Sequence, residues 1–276
     1  MLDWSQNPML NYDLLEKNVE QYAKQFREAQ PFPHLVVDDL LDPEVAMAAS
    51  QVFPQMTEMD VLSDFRQHKA QDPDIGKFHP IFSKIIFEHL HSPRLLQVLS
   101  QITGMPDLLA DPQLYASGLA QGGDGCFLNV HIDNSSHPVT HHYRRLNLLL
   151  YLNRNWTEEK GGHLELWYPD MSRSVAILPI FNRMAIFATD RRSWHGHRRV
   201  NTPDGDSRKS INIYYFTEAS PDGTDYYHIT SFRARKEEVV NQVLYPVDNM
   251  LRTVVRNLRP KKDEHAVLYN QQDEQP

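Results

Sequence analysis

A histidine and an aspartate two residues apart, His131 and Asp133, stand near the start of a stretch of short strand-like runs that continues to Thr217. On a strand the side-chain period is two, so positions i and i+2 point to the same side. A second histidine from a distant strand, His195, then closes one triangular face of an octahedral metal. Two imidazoles and one carboxylate that leave the opposite positions open suit non-haem Fe(II). In a chain with 14 histidines an HxD pair is a weak signal by itself. The distal histidine, the later Arg208 and the strand-rich text between them make it a strong one.

The strand-like runs are 113–119, 126–131, 144–153, 163–168, 175–179, 183–188 and 208–217, separated by Gly, Pro, Asn or Asp clusters. Short strands at this spacing predict a β-sandwich or barrel. Before them, helical spacing predicts a helix over 10–29, stopped by Pro31, and Asp42-Pro43 opens another near 43–53. Residues 31–41 read as a strand entering a turn, 54–76 as a polar surface loop, and 78–101 as two helical pieces split at Ser92-Pro93. Helical spacing returns over 236–258, interrupted by Pro246, and 261–276 is polar. The expected organisation is an N-terminal helical and strand portion (1–112), a core (113–219) and a mostly helical C-terminal extension with a polar tail (220–276).

Composition excludes several classes. The net charge of −8 argues against a general binder of nucleic acid or anionic membrane. Cys126 is the only cysteine, which rules out a disulfide framework, a zinc ribbon and an iron–sulfur cluster. No run approaches 18 apolar residues, so no membrane span is expected, and the first fifteen residues lack the basic and apolar regions of a signal peptide. A cytoplasmic location is the expectation.

Two strand runs are polar on one face. Over 144–153, Leu146, Leu148, Leu150 and Leu152 share one side, and Arg145, Asn147, Leu149 and Tyr151 share the other. Over 208–216, Arg208, Ser210, Asn212 and Tyr214 alternate with Ile211, Ile213 and Tyr215. Two strands that both turn polar groups inward describe a ligand cavity better than a dry core.

Five blocks, HIDN (131–134), NLLLYLNRNW (147–156), GGHLELW (161–167), RMAIFATDRRSWHGH (183–197) and RKSINIYYF (208–216), resemble the Fe(II)/2-oxoglutarate-dependent oxygenases of the prolyl 4-hydroxylase-like group. The resemblance implies a double-stranded β-helix (a cupin-like jelly roll) in a mainly β chain with flanking helices. It implies His131, Asp133 and His195 as iron ligands, and Arg208 as the partner of the distal carboxylate of 2-oxoglutarate, helped by Tyr151. Asn147, Ser210 and Asn212 are further expected pocket contacts. The implied activity uses O2 to decarboxylate 2-oxoglutarate to succinate and CO2 and hydroxylates an unactivated C–H bond, with ascorbate as an auxiliary reductant. Arginine suits its role because its planar fork meets a carboxylate with two hydrogen bonds. One departure is that QGGDGCF (121–127) has no tyrosine where the oxygen-sensing prolyl hydroxylases place one on the co-substrate.

His197 is a rival ligand, since it faces the same way as His195 on a strand. His137, His141, His142 and His163 read as loop or surface residues, Trp156, Trp167 and Trp194 as packing, and Gly122, Gly123 and Gly125 as a turn. Arg144, Arg191, Arg192, Arg198 and Arg199 suggest an anionic substrate, either peptidyl or a small molecule. Substrate specificity is expected from 54–76, 134–143 and 198–207. Competing functions are a non-catalytic jelly-roll binding module and a zinc hydrolase with the same ligands. Oligomeric state is not legible.

Overall fold

The computed structural model describes residues 9–221, 223 and 227–258. The first residues of the leader reading and the polar tail from Lys261 lie outside the described residues. Six helices and thirteen strands follow in order: α1 (Tyr12–Lys17), α2 (Val19–Glu28), β1 (His34–Val37), α3 (Pro43–Gln51), β2 (Val61–Ser63), β3 (Gln67–Asp72), α4 (Pro80–Ser83), α5 (Pro93–Thr103), β4 (Leu109–Ala110), β5 (Gly118–Gly122), β6 (Phe127–Ile132), β7 (Tyr143–Tyr151), β8 (Leu164–Trp167), β9 (Ser174–Ile177), β10 (Arg183–Ala188), β11 (Trp194–His197), β12 (Arg208–Thr217), β13 (Ser231–Phe232) and α6 (Val239–Leu258).

The helix boundaries follow local chemistry. Asp42 caps α3 by accepting from the backbone N–H of Glu44, with Pro43 in the first turn. Ser92 caps α5 in the same way, again before a proline, and Gly104 ends that helix in the left-handed conformation. Between Pro80 and Leu90 the helix passes into a seven-residue π-helical segment before it stops at Ser92-Pro93. The predicted 10–29 helix is two helices, because Asn18 interrupts it and closes α1.

The strands pair antiparallel along the path β1-β10-β7-β12-β5-β3-β6-β11-β8-β9, with β13 added on β6, β2 on β3 and β4 on β12. This is the predicted mainly β half-barrel with flanking helices, the jelly-roll architecture. The alternation read in the sequence decides its two faces. Leu146, Leu148, Leu150 and Leu152 join Ile211, Ile213, Met184 and Ile186 in the main core, packed with Leu95, Leu99 and Ile102 of α5. The other face of β7 and β12 turns toward the concave side, where Asn147 sits opposite Tyr214, Leu149 opposite Asn212 and Tyr151 opposite Ser210.

The reading of 54–76 as a surface loop is wrong. β3 lies inside the sheet, pairing with β5 on one side and β6 on the other. Its period-two pattern is short and its inward positions are Gln67, Lys69 and Gln71, so only Ala70, buried in the main core, signalled a strand.

The C-terminal segment is tied to the barrel by one buried charge cluster. Arg235, 2% exposed, donates from Nε and Nη2 to Glu165 Oε2 at 2.9 and 2.6 Å. Its Nη1 reaches Glu238 Oε1 at 2.8 Å and Asn129 Oδ1 at 3.2 Å. Removing one partner of a buried pair strands the other, so Arg235→Ala is expected to cost about 3 kcal/mol. Urea unfolding checks this, and a loss of under about 1 kcal/mol would put the cluster among surface-like ion pairs.

Candidate metal and co-substrate site

His131 and His195 face each other as cross-strand partners on β6 and β11, and Asp133 follows just past the end of β6. One ligand atom from each of the three lies within 4.8 Å of the others. The imidazoles are fixed from behind. His131 Nδ1 meets Asn129 O at 3.0 Å and His195 Nδ1 meets Ser193 O at 2.9 Å. Each ring therefore carries its proton on Nδ1 and turns a bare Nε2 toward the carboxylate, 3.5 Å from Asp133 Oδ1 for His131 and 3.6 Å from Oδ2 for His195. This donor set fits a divalent first-row metal such as Fe(II).

Asp133 is held as firmly. Asn147 Nδ2 donates to its Oδ2 at 2.7 Å, and Arg144 Nη1 lies 3.2 Å from Oδ1. Burial opposes ionisation of Asp133, yet the Arg144 guanidinium beside it holds its carboxyl well below the usual carboxylate range. Burial, with His131 as a neighbour, pushes His195 down to about 4 and keeps it neutral, as a ligand must be. Phe232, delivered by β13, stacks on His131 with centroids 5.4 Å apart and covers that side.

The triad sits in a cavity of about 360 Å³ that also takes in Arg208, Asn147, Asn212 and Tyr214. Arg208 is buried at the start of β12. Its Nε donates to Gly162 O at 2.7 Å and its Nη2 to the Tyr151 hydroxyl at 3.1 Å, so the guanidinium is oriented without a carboxylate partner. Ser210 lies one step further along the same face with its buried hydroxyl unbonded. Asn147 Oδ1 and Asn212 Oδ1 are likewise buried acceptors without a donor. Among the expected contacts, Asn147 is thus tied first to Asp133, while Tyr151 is tied to Arg208.

His197 is brought into the same cavity but apart from the triad. A register shift between His195 and His197 sets His197 opposite Leu128 rather than beside His131, and His197 Nδ1 bonds to Arg198 O at 2.9 Å. His197 is buried. Gly196 is required by close packing, because a Cβ there would lie 2.7 Å from Leu128 O.

The arginines that suggested an anionic substrate are engaged elsewhere. Arg144 stacks over Tyr214 at 4.0 Å and serves Asp133, Arg192 pairs with Asp190, and Arg198 pairs with Glu165 and Glu237. Arg199 donates to Gly125 O and stacks over Phe127. None of the five lines the cavity. His137 is also buried, against the surface reading, whereas Trp194 packs with Val130 and Trp167 as expected.

The cavity wall contains residues that sequence reasoning missed. They are Arg66, Gln67, Lys69 and Gln71 from β3 and the turn before it, Gln121 from β5, and Thr230, Phe232 and Arg252 from the C-terminal segment. Of the three expected specificity segments only 54–76 contributes wall residues. The signal for β3 was present in polar residues at 67, 69 and 71 flanking Ala70. Nothing local marked 230–252.

Comparison with known proteins agrees with this geometry. The family model of the 2OG-Fe(II) oxygenase superfamily matches residues 117–216, which contain β5 to β11 and all but the last residue of β12. No curated protein was found to match the chain. Among solved structures, the chain resembles a prolyl hydroxylase from Trichoplax adhaerens, in complex with a hypoxia inducible factor oxygen degradation domain peptide fragment, at 21% identity and a TM-score of 0.51. That match covers 74% of this chain and 93% of the other. It resembles a prolyl 4-hydroxylase from Phytophthora capsici at 21% identity and TM-score 0.53, covering 91% of this chain and 78% of that one. A non-heme alpha ketoglutarate dependent carbocyclase from nogalamycin biosynthesis gives 12% identity and TM-score 0.54, with 84% and 91% covered. At these identities the likeness is one of fold.

Proposed function

We propose, on the premise that residues 117–216 match the family model of the 2OG-Fe(II) oxygenase superfamily, that the chain is an Fe(II)- and 2-oxoglutarate-dependent dioxygenase that hydroxylates an unactivated C–H bond. The observation that carries the proposal is the sharing of one cavity by a His-Asp-His cluster and a buried, oriented arginine that has no acid partner among the described residues.

In this reading His131, Asp133 and His195 hold the iron, Arg144 and Asn147 fix the carboxylate, and Phe232 shields the His131 side from water. Arg208, steadied by Tyr151 and Gly162 O, binds the distal carboxylate of 2-oxoglutarate and so sets how the 2-oxo acid end meets the metal. Bound iron supplies O2 activation, coupled to oxidative decarboxylation of 2-oxoglutarate to succinate and CO2. The substrate class is a peptidyl residue, an amino acid or a small metabolite that reaches the mouth formed by β3 and the C-terminal segment.

Succinate formation from 2-oxoglutarate that requires both Fe(II) and O2 is the expected result. Turnover with Zn(II) alone, or binding of 2-oxoglutarate without any succinate under Fe(II) and O2 across a panel of peptides, amino acids and metabolites, would refute the proposal.

A further inference from the structure

Four cations line the cavity, and two of them are neutralised by the protein. Arg66 pairs with Asp64 and Asp248, and Arg252 pairs with Asp248. The other two, Arg208 and Lys69, have no carboxylate within 4.0 Å among the described residues. Lys69 is half-buried on β3, and its ammonium donates to Gln71 Oε1 at 2.6 Å. The amide of Gln71 is itself anchored to the backbone carbonyl of Ala116, so Lys69 is held in place rather than loose.

Strand register places the two cations together. Gln71 pairs with Ala120, and Ala120 with Ser210, which defines one row across β3, β5 and β12. Two residues along each strand, on the same face, the next row is Lys69, Gly122 and Arg208, of which Gly122 and Arg208 are paired directly across β5 and β12. Gly122 contributes no side chain, and a Cβ there would already sit 3.1 Å from that of Cys126. A lysine and an arginine thus face the cavity with only a glycine between their strands. Burial pushes the Lys69 ammonium down to about 8, with Asp133 pulling it up and Arg208 pushing it down, so the site is one that an anion would relieve.

We propose that Lys69 is a second cationic contact for 2-oxoglutarate, sharing with Arg208 the carboxylate that lies away from the metal. The inference rests on the co-substrate reading above. It also replaces the tyrosine contact that the segment 121–127 lacks, with a residue supplied from a different strand.

The test is anaerobic calorimetry on Fe(II)-loaded protein with 2-oxoglutarate and, separately, with 2-oxopentanoate, which keeps the 2-oxo acid but ends in a methyl group. Lys69→Met is expected to weaken 2-oxoglutarate by about ten- to a hundredfold while changing 2-oxopentanoate by no more than about twofold, because the lost contact is to the far carboxylate. Lys69→Arg should recover most of the affinity. Lys69→Gln asks the same question if the methionine variant folds poorly. Unchanged 2-oxoglutarate affinity would overturn the inference, as would equal losses for both acids. Lost turnover with intact 2-oxoglutarate binding would overturn it too, and would move Lys69 to the primary substrate. If the wild-type protein binds 2-oxoglutarate no better than 2-oxopentanoate, the co-substrate reading itself falls.

Discussion

His195→Ala is expected to abolish stoichiometric Fe(II) binding and all turnover, whereas His197→Ala should keep the metal and lose at most part of the rate. The two histidines are separated by one residue and both face the cavity, so sequence spacing alone leaves them close rivals. A register shift between β6 and β11, with the extra residue on β6, separates their cross-strand partners. His195 remains the cross-strand partner of His131, its Nδ1 proton spent on Ser193 O and its Nε2 aimed at Asp133. His197 lies at the level of Leu128, where burial above all, and then Arg208 and Lys69, disfavour positive charge. With one of three protein ligands gone, the remaining pair cannot close a triangular face of the metal. Anaerobic Fe(II) titration of the two variants gives the answer. Metal lost in His197→Ala and kept in His195→Ala would shift the ligand set by two residues.

Arg208→Ala should weaken 2-oxoglutarate binding by on the order of a hundredfold or more, since truncating one partner of a buried charge-assisted pair costs about 2–5 kcal/mol. The guanidinium is already positioned by Gly162 O and the Tyr151 hydroxyl, so its orientation is fixed before the anion arrives. Iron binding should survive, because Arg208 touches none of the three ligands. Tyr151→Phe removes only the steadying bond and is expected to cost about tenfold or less. Calorimetry separates the two effects, and an Arg208→Ala variant with wild-type affinity would leave the co-substrate assignment without its anchor.

The parts of this molecule legible in the sequence are those in which period and chemistry coincide. The leucines at 146, 148, 150 and 152 declared their face, and Asn147, Tyr151, Arg208 and Asn212 declared the other. His131 and Asp133 needed only the two-residue period. What was hidden depends on strand pairing between distant segments. β3 reads as polar loop because both its neighbours, β5 and β6, come from beyond residue 117, and its inward side chains serve a wet cavity rather than a core. Phe232 and Arg252 carry no local sign that they close the far wall. The arginines around His195 misled for the opposite reason. Charge close in sequence to a ligand was taken for charge close to the cavity, while their strands and turns point them at Asp190, Glu165, Glu237 and Phe127.

The order of strands in the sheet bears on how the iron gets in. Along the path from β1 to β9, only β8 and β9 are neighbours both in the sheet and in the chain. Every other pairing closes a longer loop, from β1 finding β10 to β6 finding β11, and such non-local pairing makes for slow folding. His131 and His195 meet only through that last pairing, so in the unfolded chain the three ligands are not held together. Metal capture cannot then serve as a nucleation event, unlike in a zinc finger, where the ion is the fold's main support. We expect the barrel to be built first and to receive iron afterwards. Purified apoprotein should accordingly be loadable by simple addition of Fe(II), with no unfolding and refolding cycle.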